Sequence, residues 1–342
     1  MSKTSAGRFF EDYRLGEVIE HAVPRTVGAG ERALYHALYP ARHAISSSDE
    51  FAKSCGLAGS PLDELIAFHL VFGKTVPDIS LNAVANLGYS QTCWLAPVWP
   101  GDTLRSVSEI IGLKQNSSGK NGVVWVRTKG INQHDECVLE YVRWVMVKKR
   151  NQQLAAPKTS IPDLASVIAP DQLTIPTGLD FSNYNFSLAG EPHRLSDYRI
   201  GEQIDHVDGV TIEESEHMLA TRLWQNTAKV HFDINARPDG KRLIYGGHII
   251  SLARALSFNG LANAQMIVGL NAGSHVNPCF AGDTVRAWSE VLDISQSNAP
   301  GVGLIRLRTV ATKAAPFELR DNQGKYLPDV VLDIDYWAVM PT

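Results

Sequence analysis

Two long apolar runs stand out along the chain. "PLDELIAFHLVFGKTV" (61–76) and "GGHIISLARALSFNGLANA" (246–264) are apolar around most of a helical turn, and each predicts one long buried helix. Ala253, Ala255, Ser257 and Gly260 in the second run are small, which suits close packing against a sheet. After the first run, β-branched stretches separated by turn residues fall at 85–95, 102–113, 122–131 and 137–147 and predict consecutive strands. Ahead of each long helix lies a shorter stretch of helical character, "AGERALYHAL" (29–38) and "EESEHMLATRL" (213–223), followed by a loop. One helix wrapped by consecutive antiparallel strands is an α+β layer arrangement.

The pattern occurs twice because the sequence does. "DYRLGEVIEH" (12–21) returns as "DYRIGEQIDH" (197–206), and "PVWPGDTLRSVSE" (97–109) returns as "PCFAGDTVRAWSE" (278–290). "VRT" (126–128) matches "LRT" (307–309), and "YVRWVMV" (141–147) resembles "DYWAVM" (335–340), in the same order. The expected organisation is one copy over 1–150, a Pro- and Ser-rich linker over 151–192 and a second copy over 193–342.

Bulk composition narrows the function only by exclusion. The 342 residues carry a net charge of −4 with acids and bases interspersed, so no nucleic-acid-binding face is expected; "KKR" at 148–150 is the nearest to a basic run. No run reaches membrane-spanning length, and "MSKTSAGRFFEDYRLGE" has no secretory apolar core, so a cytoplasmic protein away from membranes is expected. Cys55, Cys93, Cys137 and Cys279 are scattered, with no CxxC pair; reduced packing thiols are expected, with no metal site.

A single helix in a curled antiparallel sheet, duplicated, with "AGDTV" (281–285) leading a strand, resembles the hot-dog fold. It resembles in particular the MaoC-like, R-specific enoyl-CoA hydratase family in its tandem, double-hot-dog form. "FGKTVPDISLNAVANLGY" (72–89) and "YGGHIISLARALSFNGLANA" (245–264) are similar to the mesaconyl-CoA hydratase branch, also called β-methylmalyl-CoA dehydratase. The resemblance implies a hydro-lyase that reversibly adds water to a 2-enoyl-CoA thioester, most of all mesaconyl-CoA. It implies a CoA thioester as partner and leaves open a homodimer. No cofactor is needed, because the thioester itself acidifies the α-carbon.

The chemistry needs a base for water, a proton for Cα and donors for the oxyanion on the thioester oxygen. In the family, an Asp and a His five residues later precede the central helix, whose first backbone N–H groups meet the thioester oxygen. By that resemblance His231 falls on the His position, and Asn226 stands where the family has Asp. Asp233 falls where a further acid is often found, although a loop cap is its ordinary role. Gly246 and Gly247 fall at the helix start, with the Gly247 N–H as the expected oxyanion donor and His248 beside it. In the first copy the repeat register pairs Ala41 with Asn226 and Ser46 with His231, and neither can act as acid or base. Pro61 there is expected to remove one backbone donor at the helix start, so one site per chain follows.

An Asn in place of Asp removes one negative charge. A mesaconyl (methylfumaryl) thioester brings its own carboxylate, and two carboxylates close together in a dry site repel strongly. The expectation is that His231 is the base, Asn226 orients water or substrate, and a nearby cation pairs the substrate carboxylate. Lys229, Arg222 and Arg254 are the candidates, each also readable as a surface charge. Competing readings are a hydratase of other 2-enoyl-CoA esters, a hot-dog thioesterase and a non-catalytic acyl-CoA-binding module.

Overall fold

A computed structural model describes residues 3–314 and 317–342. Among the described residues, ten strands form one antiparallel sheet. The first half supplies β1 (Val18–Thr26), β2 (Ala83–Trp94), β3 (Thr103–Gln115), β4 (Asn121–Ile131) and β5 (Cys137–Lys148). The second supplies β6 (Gln203–Thr211), β7 (Met266–His275), β8 (Thr284–Gln296), β9 (Val302–Thr312) and β10 (Val330–Pro341). Their order, β1-β3-β4-β5-β2-β7-β10-β9-β8-β6, is the same sequence of strands read outward from the middle in both directions. The halves join edge to edge where β2 pairs with β7, Tyr89 opposite Gly273 and Cys93 opposite Gly269.

Each half wraps a central helix, α2 (Glu64–Thr75) and α4 (Gly246–Leu256), preceded by a shorter one, α1 (Ala29–Leu38) and α3 (Glu214–Leu223). All twelve residues of α2 are buried, which explains why its sequence is apolar all round rather than on one face. The chain after α3 crosses α2 so closely that a Cβ on Gly73 would lie 1.8 Å from the Trp224 carbonyl oxygen; only glycine leaves that room. Between the central helices His69 reaches Ser251 Oγ at 2.7 Å and the Tyr245 hydroxyl at 3.1 Å. Alternation along the strands separates the two faces. On β9, Ile305 and Leu307 pack with the helices, while Val302 and Leu304 face the other way, under Phe51, Leu179 and Phe181.

Residues 151–192 run over that second face as mostly irregular chain. They are tied down by the Ile168 N–H to Asn271 Oδ1 at 2.8 Å and by Trp337 Nε1–H to the Ile168 carbonyl at 3.1 Å. One expectation is corrected in detail. The second central helix stops at Leu256 instead of running to 264, because Asn259 leaves helical geometry and Gly260 adopts φ 96°. The break exposes the Gly260 carbonyl, which accepts the Tyr198 hydroxyl at 2.8 Å.

Candidate active site

A cavity of about 400 Å³ opens where the C-terminal end of α2 and the start of β2 face the loop that enters α4. The first half lines it with Phe72, Ser80, Asn86, Tyr89 and Arg143. The second half adds Asn226, His231, Tyr245, Gly246 and His275. Lys148 and Lys229, both exposed, stand on its lining from opposite halves.

His231 is held by local backbone bonds. It lies in a short helical turn, Lys229–Phe232, which the Leu243 N–H pins through the Val230 carbonyl at 2.9 Å. The ring's Nδ1 is 2.7 Å from the Leu243 carbonyl oxygen, which can only accept; Nδ1 therefore carries the proton and Nε2 is left as a lone pair. Burial lowers the imidazole pKa to about 4, against a smaller upward pull from the Leu243 bond, so the ring is neutral at pH 7. Asn226 is buried, and its Oδ1 accepts the Ala228 N–H at 3.2 Å, a short-range turn bond that fixes the side chain. It stands on the cavity lining, and its amide NH₂ can only donate.

The entry to α4 is tied on both sides. The Ile244 N–H donates to the Cys279 carbonyl at 3.0 Å, and the Tyr245 N–H donates to His217 Nε2 at 2.9 Å. Among the described residues no backbone carbonyl takes the N–H of Gly246 or Gly247, as the first turn of a helix requires. Gly246 lines the cavity, and Gly247 is buried behind it. A Cβ on Gly246 would lie 2.4 Å from the His275 ring, and one on Gly247 the same distance from the Tyr245 ring. Tyr89 completes this wall, its hydroxyl 3.2 Å from His275 Nε2. This arrangement offers a neutral nitrogen base, an amide donor and the helix-start Gly246 N–H on one cavity, the parts that water addition to a thioester needs.

Several expected residues lie elsewhere. Asp233 is exposed, and its carboxylate accepts the Asn235 N–H at 2.9 Å as the cap of a short turn; it does not line the cavity. His248 is buried behind the helix start, 3.3 Å from the Tyr39 hydroxyl, because its side chain points into the packing between the halves. Arg222 is exposed and off the lining. Arg254 is buried at the far end of α4, donates to the Ala264 carbonyl, and its charge bears on Asp63 and Glu64. Of the three expected cations only Lys229 touches the cavity, from its exposed side.

Pro61 does not act as expected either. Helix α2 begins at Glu64, and the Asp63 carboxylate accepts the Leu65 N–H at 3.0 Å; a capping side chain, not a proline, closes that helix start. Ala41 and Ser46 are buried away from the cavity.

Arg143, Asn86, Tyr89 and His275 were missed. Arg143 is fully buried on β5 and stacks over Phe72 at 4.3 Å. A charged residue among the apolar positions of "YVRWVMV" was the available signal. Among the described residues that line the cavity, none is an aspartate or a glutamate.

The fold and this site define a MaoC-like hydratase of the tandem hot-dog class. The family model described as Mesaconyl-CoA hydratase matches residues 2–317, and the chain belongs to that family. It is 72% identical over 341 residues to a Cereibacter sphaeroides protein named Mesaconyl-CoA hydratase, covering 99% of each chain. It is 56% identical over 349 residues to a Chloroflexus aurantiacus protein named Beta-methylmalyl-CoA dehydratase, again covering 99% of each. A crystal structure described as a MaoC domain dehydratase from Chloroflexus aurantiacus superposes with TM-score 0.97 at 55% identity, over 100% of this chain and 99% of that one. A Mycobacterium tuberculosis protein with a double hotdog fold superposes at 0.78 and 22% identity, over 98% of each, a likeness of fold alone.

Proposed function

We propose that the chain is a hydro-lyase that interconverts mesaconyl-CoA and β-methylmalyl-CoA. The observation that carries the reading is His231, an imidazole fixed with its Nε2 lone pair free, on the same cavity as the Gly246 helix start. In the hydration direction Nε2 takes one proton from water as the water oxygen bonds to Cβ. The C=C electron pair moves through Cα onto the thioester oxygen, where the Gly246 and Gly247 N–H groups meet the charge. The imidazolium then returns its proton to Cα, the carbonyl reforms, and one water has been added. Asn226 donates to the water or substrate without competing for the proton. Lys148 and Lys229 suit the phosphates of CoA. Both halves of the site belong to one chain, so a homodimer would leave its composition unchanged. The setting for such a reaction is the cytoplasm.

The test is the purified protein with mesaconyl-CoA, followed by product mass. A gain of one water without release of free CoA supports the reading. Free CoA as product would make the protein a thioesterase. Tight binding of CoA esters with no conversion of any enoyl-CoA would make it a binding module.

A further inference from the structure

We propose that Arg143, a residue of the first half, is the receptor for the free carboxylate of the substrate and so sets the specificity for a dicarboxylic enoyl thioester. The inference rests on the hydratase reading above. The guanidinium is fully buried, yet none of its hydrogen bonds or ion pairs among the described residues reaches a carboxylate. Its Nη2 reaches Thr75 Oγ1 at 2.8 Å and Ser80 Oγ at 3.4 Å, its Nη1 lies 3.5 Å from Ser80 Oγ, and Nε has no partner. Buried charges are ordinarily paired, because an isolated one loses its hydration with nothing in return. A second group on the same cavity is less satisfied still. Both amide atoms of Asn86, on the neighbouring strand, are buried without a partner. A guanidinium with no carboxylate partner and an unpartnered amide, on a lining with no acid among the described residues, are complementary to an anion that arrives with the ligand.

The substrate's chemistry fixes where that anion must sit. In a methylfumaryl thioester the free carboxylate is bonded to Cβ, whichever of the two carboxyl groups carries CoA. Its receptor must therefore share one enclosed space with the base that delivers water to Cβ. Arg143 and His231 line the same cavity from opposite halves. Neutralising the carboxylate also removes the repulsion it would exert on the incoming water oxygen. At the matching position the second half has no cation. Arg143 pairs with Val126 across the sheet, and Leu307, the repeat counterpart of Val126, pairs with Tyr336. Tyr336 is buried and accepts the Thr309 hydroxyl at 3.1 Å.

The test compares succinyl-CoA with butyryl-CoA, two dead-end esters that differ by a terminal carboxylate in place of a methyl group. Calorimetric affinities are measured on the full chain. The wild type should bind succinyl-CoA about 100-fold more tightly, the factor expected of a desolvated charge pair. In Arg143→Gln that preference should collapse to near parity, and Arg143→Lys should recover roughly a tenfold preference, keeping the charge but not the fork. Equal affinities in the wild type, or an unchanged preference in folded Arg143→Gln, overturns the proposal. If both variants fail to fold, parity between the two esters in the wild type still overturns the proposal. Failure of the wild type to hydrate mesaconyl-CoA is a separate result and overturns the hydratase reading instead.

Discussion

The two halves of the sheet follow one pattern but bring different residues to the cavity they share. In the second half, the loop before the central helix carries Asn226 and His231, and the helix opens with two glycines whose N–H groups are unpaired. In the first half, the matching loop is buried among apolar side chains and Asp63 closes the helix start. The first half is not merely a packing remnant, however. It lines the cavity with Arg143, Asn86 and Tyr89, facing Asn226 and His231 of the second half. A duplicated site whose copies are no longer equal can lose each function once and keep it once. At the far end of α4, Asp63 and Glu64 of the first half lie in the field of Arg254, and burial raises both carboxyl pKa values.

This division makes unequal predictions for matched positions. The largest concerns His231→Ala, which should lower kcat for mesaconyl-CoA by about 1000-fold, within the range for a lost general base. Retained turnover would mean the base lies elsewhere. Gly246→Ala drives a Cβ to 2.4 Å from the His275 ring and shifts the helix start. It should cost about 100-fold in kcat, the scale of a displaced oxyanion donor. Asn226→Asp should lower kcat/KM for mesaconyl-CoA roughly tenfold by restoring a second negative charge beside the substrate's own. An improvement would sink the charge argument. Ser46→Ala, at the inert counterpart of His231, should change turnover less than about twofold. Its cost should appear in thermal stability, about 1 kcal/mol for the bond from Ser46 Oγ to the His43 carbonyl.

The pH dependence separates the halves from the solvent rather than from each other. Burial holds His231 near 4, and it likewise lowers His275 and His248 to about 4 and His217 to about 3. Unfolded, each would titrate at the ordinary value of about 6.5. Between those values the unfolded chain binds more protons than the folded one, so stability rises with pH through that window and is lost as pH falls. A denaturation series from pH 7 to pH 4 should show this loss. Activity, by contrast, should stay flat through pH 6.5 and fall only toward pH 4, where His231 protonates. A midpoint at 6.5 in kcat/KM would place the base in water.

Much of this was readable in the residues, for identifiable reasons. The repeat and the period-2 strands gave the architecture because each half buries one helix in one sheet, and that constraint writes itself into every strand. The place of His231 on the cavity lining was readable because its loop leads into α4, whose first residue lines the same cavity. The cation was not. Tyr141, Arg143, Val145 and Val147 share one face of β5 and all are buried, so parity alone puts Arg143 inward. What parity lacks is knowledge that the cavity lies there, since that depends on how two segments more than eighty residues apart meet. Arg254 failed in the opposite way, because its neighbours Asp63 and Glu64 belong to the other copy. Asp233 carries an acid's charge but spends it on a local turn, which sequence position cannot distinguish from catalysis.

The pairing of β2 with β7, and the chain that runs from 151 to 192 over the sheet, have a consequence for assembly. On separate chains the edges of β2 and β7 could also meet copies of themselves, and a pair of first halves would lack His231. A tether turns the choice of neighbour into an intramolecular event at a high effective concentration. With the connecting segment in place, each chain meets itself as one mixed pair.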